Sequence, residues 1–284
     1  MSPHADRVAR LDDERTVAYA EYGDPSGRPL LALHGTPGSR VFGELFDDVA
    51  RERGVRVIAP DRPGFGRSPA WSDRTLTDTE TFVSAVLDDV GAPRASVVGF
   101  SGGGPHALAL AATAPRLVET VAVVAGATPP SLRERTPRAQ RMLAWTARSA
   151  PPVLRALSWI QVRIAARASP SLVLGQYTDD PESVPSTDAD AVRRDFLAAL
   201  RERRTGLVRE LRLLAEPWEF APGDVDVPVH LWHGARDANA PVTAARRLAD
   251  ELPDSSATFY DDADHLTTLL RSRSAVVERL AQTA

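Results

Sequence analysis

Ser101 lies in the stretch Gly99-Phe100-Ser101-Gly102-Gly103, after a run of β-branched residues and before an alanine-rich run of helical character. A serine at so sharp a strand-to-helix turn is held in a strained conformation, and only small residues two positions to either side let the chain pass. Gly99 and Gly103 fill that need. The turn also places the hydroxyl at a helix N-terminus, where free N–H groups and the helix dipole favour negative charge. The chemistry this setting suits is nucleophilic attack by Ser101; the plainer reading is a cramped turn.

A serine nucleophile needs a base, and the base needs an orienting carboxylate. Of the six histidines, His4 falls in the N-terminal segment and His34 in "LHGTPG". His106 comes one turn into the helix after Ser101, where lining a pocket or packing suits it better than acting as a base. His230 and His233 share a strand three positions apart, so they face opposite sides, cannot chelate one metal and read as core histidines. His265 is left, in "DDADHL", where a C-terminal helix begins. The carboxylate is expected from the loop after a neighbouring strand, and "LWHGARDANAPV" supplies Asp237 there. Asp261, Asp262 and Asp264 crowd His265 but read as solvated loop charge, with Asp264 able to modulate it.

The elements that must position these residues follow from patterning. Runs ending at Gly35, Pro60, Ser101, Gly126, Gly234 and His265 read as strands apolar on both faces, as strands under two helical layers should be. Helices are expected over 43–53, 77–90, 102–114, 242–251 and 266–282. This alternation predicts an α/β fold, a mostly parallel doubly wound sheet of about eight strands with helices on both faces. Val8–Leu11 and Thr16–Tyr22, around the turn "DDER", read as an antiparallel hairpin at its edge. From 128 to 222 there is helical patterning without a convincing strand, which predicts a helical lid inserted into a core formed by 1–127 and 223–284.

These pieces together resemble the α/β-hydrolase superfamily. The order Ser101, Asp237, His265 matches its nucleophile–acid–histidine order. "LHGTPG" resembles its oxyanion loop, "DRPGFGRS" the loop after the next strand, "GFSGGGP" its nucleophile elbow and "HGARDANAP" its acid loop. The resemblance implies a catalytic triad in which Ser101 attacks a carbonyl, His265 takes the proton and Asp237 fixes the imidazole. It implies an oxyanion hole of two backbone N–H groups, from Thr36 and Gly102, in a loop shaped by His34 and Gly35 and stiffened by Pro37. It implies neither cofactor nor metal. Relatives that dehalogenate alkyl halides or open epoxides carry aspartate at the elbow, so serine argues against both. "HGTPG" lacks the extra glycine of the "HGGPG" loop of iminopeptidases, which lowers the peptidase reading.

Composition excludes further classes. The chain has no cysteine, so disulfide and thiolate chemistry are ruled out and a cytoplasmic setting is the simplest expectation. All 34 basic residues are arginine, which removes P-loop and Schiff-base chemistry. A net charge of −4 gives no reason to expect nucleic-acid binding. No apolar run approaches a membrane span, and the charged start does not read as a secretory signal. Between Ser131 and Pro170 eight arginines accompany one acid, Glu134, and many apolar residues, Trp145 and Trp159 among them. Such a segment can lie on an anionic membrane, attract an anionic substrate or pack a partner in a homodimer. The favoured reading is ordinary lid helices, apolar faces toward the pocket, arginines toward solvent and the acidic run Asp179–Asp195. Phe100, His106, Trp145 and Trp159 are the expected pocket residues.

The function expected is a cofactor-independent serine hydrolase acting on a small, apolar carboxylic ester, lactone or thioester. The same triad also serves perhydrolysis, C–C hydrolysis, acyl transfer or a biosynthetic cyclisation. A ligand-binding protein on the same scaffold is the alternative from another class. Only neutral His265 can act as the base, so the rate is expected to rise with pH as that imidazole loses its proton.

Overall fold

The computed structural model describes residues 6–11, 14–134, 136–201 and 205–282. His4, Asp12, Asp13 and Arg135 lie outside the described residues. Eight strands form one sheet: β1 (Arg7–Arg10), β2 (Thr16–Gly23), β3 (Arg28–Leu33), β4 (Val55–Pro60), β5 (Ala95–Phe100), β6 (Val118–Val124), β7 (Val229–Gly234) and β8 (Ser255–Tyr260). Their order is β1-β2-β4-β3-β5-β6-β7-β8. β1 and β2 pair antiparallel at the edge, β2 runs antiparallel to β4, and β3 to β8 are parallel.

Alternate residues of each central strand feed opposite layers, because successive side chains leave a strand on opposite faces. Leu30, Ala32, Val98, Phe100, Ala122 and Val124 pack with α1 (Asp47–Glu52) and α10 (His265–Ala281). Leu31, Leu33, Val97, Val121, Val123 and Leu231 pack with α2 (Thr79–Val90), α3 (Gly103–Thr113) and α9 (Val242–Glu251). Burial on both faces is what makes these strands continuous apolar runs. β8 departs from that expectation: it is an edge strand, and Ser256, Ala257 and Thr258 are exposed.

Between β6 and β7 come α4 (Arg138–Ser149), α5 (Pro151–Ala165), α6 (Pro170–Leu174), α7 (Ser186–Arg201) and α8 (Thr205–Leu213), with no strand among the described residues. Proline opens α5 and α6, where a missing N–H costs nothing. Three of the contacts that seat this insertion on the core lie at Ser39, Asp264 and Gly64. Asp195 of α7 accepts from the Ser39 backbone N–H and hydroxyl at 2.7 and 2.8 Å. Thr178 donates to Asp264 at 2.6 Å. At the third, backbone meets backbone: a Cβ built on Gly206 of α8 would stand 2.3 Å from the Gly64 carbonyl oxygen.

Among the described residues no arginine of 131–170 pairs with the acidic run as expected. Asp188 pairs instead with Arg273 at 2.6 Å. Arg133 turns to the carbonyls of Thr128 and Leu214, and Arg148 stands 3.8 Å from Glu216. Apolar side chains also face outward, Met142, Trp145, Leu157 and Ile164 each being more than half exposed. No helix among the described residues is long and apolar enough to cross a membrane.

Candidate active site

The glycines around Ser101 are dictated by close approach. A Cβ on Gly99 would stand 2.6 Å from the Gly103 carbonyl oxygen, and one on Gly103 would stand 2.1 Å from that of Leu33. Between them Ser101 takes a φ of +52°, a left-handed conformation that costs a non-glycine residue about 1–3 kcal/mol. Its backbone is pinned on both sides, the N–H donating to Val124 at 3.0 Å and the carbonyl accepting from Gly104 and Ala127. α3 begins two residues later.

Asp237 is in the loop after β7 and is 6% exposed. One carboxylate oxygen accepts from the backbone N–H groups of Asn239 and Ala240, each at 2.8 Å. The other is 2.7 Å from His265 Nδ1. Burial pulls this carboxyl upward, but the His265 imidazole and these hydrogen bonds outweigh it and hold Asp237 below the usual carboxylate range. Because an ionised carboxylate only accepts, Nδ1 carries the proton and Nε2 keeps its lone pair. Asp264 caps α10 by accepting from the Thr267 N–H at 2.9 Å.

The His265 ring lies between Phe100, centroids 4.9 Å apart, and Tyr177, 6.4 Å away and nearly parallel. Tyr177 escaped the sequence reading because nothing in its spacing ties residue 177 to residue 265. Leu266 N–H donates to the Tyr177 carbonyl at 2.9 Å, which ties the insertion to the start of α10. His233 is buried under the acid loop, donating to the Ala240 carbonyl at 2.6 Å and 3.5 Å from Asp237. His230 is half-buried against Ser256.

Thr36 and Gly102 adjoin: a Cβ on Gly102 would be 2.2 Å from Thr36 Oγ1. His34 shapes the loop before them, Nδ1–H donating to the Gly35 carbonyl at 2.8 Å while Nε2 accepts from the Arg62 N–H at 3.1 Å. Burial, reinforced by the Arg62 guanidinium, keeps that ring well below the usual histidine range and so neutral. Gly35 lies close against Phe100.

Ser101, His265, Thr36, Pro37 and Gly102 line one cavity of about 730 Å³, walled by Leu154, Leu157, Phe196, Leu207, Leu211 and Leu214. Ser101 also lines a recess of about 30 Å³ between Phe42, Leu45, Phe100 and Leu266. Among the described residues no hydrogen bond joins Ser101 to His265, and no three His, Asp or Glu side chains form a metal-sized cluster. Such contacts commonly close only once substrate is bound.

Two pocket expectations are corrected. Trp145 lines the cavity. Trp159 does not: it is 47% exposed beneath the Arg163 guanidinium, because α5 carries apolar residues on more than one face. His106 is fully buried away from the cavity, its Nε2 donating to Glu210 at 2.8 Å and its Nδ1 accepting from Thr79 at 2.7 Å. Burial pushes this imidazole down to about 4, with Glu210 opposing. The unfolded chain takes up a proton at that position below pH ~6.5, where the folded chain does not, so stability falls as pH drops from about 6.5 toward 4. His106→Gln, which keeps a donor to Glu210, is expected to reduce the loss of urea-unfolding free energy between pH 7 and pH 4.5 by about 2–3 kcal/mol. Identical losses in the two proteins would remove His106 from the account of acid sensitivity.

Comparison with known proteins adds a family. The model of the α/β hydrolase fold matches residues 28–271. The pimeloyl-[acyl-carrier protein] methyl ester esterase of Aromatoleum aromaticum is 30% identical over 251 residues, covering 87% of this chain and 95% of that protein. The enzyme of the same name from Chromobacterium violaceum is 31% identical over 260 residues, covering 88% and 92%. Among solved structures, an α/β hydrolase fold protein from Nakamurella multipartita superposes with a TM-score of 0.73 at 20% identity, over 98% of this chain and 99% of that one. The chain belongs to the α/β hydrolase fold family and is a hydrolase of that fold.

Proposed function

We propose that this protein is a serine esterase that cleaves a carboxylic ester joining a large apolar group to a small one. The observation that carries the reading is the Asp237–His265 hydrogen bond at 2.7 Å, which leaves Nε2 unprotonated on the wall of the cavity that Ser101 also lines. The ester names of the two relatives support the same bond type. In this reading Ser101 Oγ attacks the ester carbonyl and His265 Nε2 takes its proton. Asp237 stays ionised and stabilises the imidazolium. The negative oxygen is held by the Thr36 and Gly102 N–H groups, each such donor contributing about 3–4 kcal/mol in the transition state. His265 returns the proton to the departing alkoxide, and an activated water then releases the acyl group as the acid. The 128–222 segment acts as a lid: its leucines wall the larger space, whose 730 Å³ suits a ligand of drug size. The recess of about 30 Å³ is the smaller space and suits the smaller group.

The test is turnover of 4-nitrophenyl esters from acetate to decanoate, with fluorophosphonate labelling followed by mass spectrometry. Expected are many turnovers per chain, kcat/KM rising through medium acyl lengths, and one adduct on the peptide that holds Ser101. A single turnover with a stable adduct elsewhere, or no adduct at all, would establish a binding protein instead.

A further inference from the structure

Behind the oxyanion loop lies a charged cluster that the reaction above does not use. Glu210 of α8 is fully buried, and its carboxylate receives Arg62 at 3.1 Å, His106 at 2.8 Å and Arg74 more closely still. Arg62 is also fully buried. The nitrogen with which it meets Glu210 donates to the Gly35 carbonyl at 3.1 Å and to Thr36 Oγ1 at 3.0 Å, and its partner nitrogen donates to the His34 carbonyl. One guanidinium therefore holds three consecutive residues of the loop, and one carboxylate from the insertion holds the guanidinium.

Packing alone does not account for this arrangement. Burying two guanidinium groups and a carboxylate is usually no better for stability than apolar side chains of the same volume. The cluster also leaves Arg62 Nε and two nitrogens of Arg74 without partners. With His106 neutral, Glu210 alone balances two cations, so the cluster keeps one net positive charge beneath the segment that carries Thr36. Removing Glu210 would set the guanidinium groups of Arg62 and Arg74 against each other and free Arg62 to leave the loop. α8 itself would stay seated, because the Gly206–Gly64 contact and the Arg209-to-Arg74 carbonyl hydrogen bond at 2.7 Å do not involve residue 210.

We propose that Glu210 and Arg62 are positioning residues through which the helical insertion fixes the Thr36 N–H for the oxyanion. This rests on the esterase reading and adds that the insertion sets the rate of the chemical step as well as the shape of the pocket.

The experiment uses the full chain and the nitrophenyl ester it prefers. Glu210→Gln keeps the side-chain shape and removes the charge. It is expected to lower kcat about 10- to 100-fold with KM within twofold, a fraction of what losing a whole oxyanion donor costs. A trifluoromethyl ketone of matching acyl length, which Ser101 converts to an oxyanion adduct, should lose affinity by the same factor. The product acid, which forms no oxyanion, should bind unchanged. Thr36→Val removes only the hydroxyl contact to Arg62 and is expected to show the same split at about 10-fold. The double variant should be little worse than Glu210→Gln, because both act through the Arg62 guanidinium. If Glu210→Gln does not fold, the Thr36→Val split decides alone. A folded Glu210→Gln with kcat within twofold of wild type, losses expressed in KM, or fully additive losses would overturn the proposal. A wild type that neither cycles nor labels at Ser101 would instead overturn the esterase reading, and this one with it.

Discussion

Ser101→Ala is expected to lower kcat on the preferred ester by about 10⁵- to 10⁶-fold. The residual rate would reflect only what binding and the Thr36 and Gly102 N–H groups offer to attack by water. The expectation is sharp because the fold should not notice the change. Alanine brings the same Cβ into the φ of +52° and loses only a partly exposed hydroxyl for which no hydrogen-bond partner is described. A thermal midpoint within about 2 °C of wild type is therefore expected. Steady-state turnover and intact-mass analysis after fluorophosphonate treatment read both halves: activity gone, adduct gone, midpoint kept. Retention of more than a few per cent of kcat would move the nucleophile elsewhere.

Asp237→Asn comes next in size, at about 10⁴-fold in kcat. The two backbone N–H groups of Asn239 and Ala240 that donate to one carboxylate oxygen at 2.8 Å require an acceptor there. An asparagine satisfies them with its carbonyl, which turns its NH₂ toward His265. A donor facing Nδ1 forces that nitrogen to accept, and the proton moves to Nε2, where it blocks transfer from Ser101. The substitution is nearly isosteric, so the loss lies in the tautomer and not in the fold. Asp237→Ala separates the two causes: without an amide facing Nδ1 the productive tautomer is again accessible. Its kcat is expected to equal or exceed that of Asp237→Asn despite the larger deletion. A kcat well below that of Asp237→Asn would mean that Asp237 acts mainly by its charge.

Much of this was legible along the chain, for a physical reason. The strands are written in β-branched runs, and the glycines around Ser101 are demanded by contacts a few residues away or with the adjacent strand. Asp237 and His265 stand at strand ends, where a parallel sheet gathers its loops. The Glu210 cluster was not legible, since Arg62, Arg74 and His106 lie between 104 and 148 residues from Glu210 and no period relates them to it. His106 shows the difference most clearly. Its place one turn after Ser101 was readable, whereas the carboxylate that receives it comes from a helix whose docking no local pattern encodes. Trp159 failed for the opposite reason: α4 and α5 hold more apolar side chains than one face can bury, so composition does not say which turn inward.

The seat between Gly64 and Gly206 bears on how this enzyme can be changed. Backbone touching backbone offers no side chain for drift to adjust, and even a methyl group at 206 would lie 2.3 Å from a carbonyl oxygen. Variation that resizes the cavity must therefore accumulate on the wall and leave the seat untouched. A library randomised at Leu143, Leu154 and Leu157 can retune acyl length while position 206 stays closed to everything but glycine.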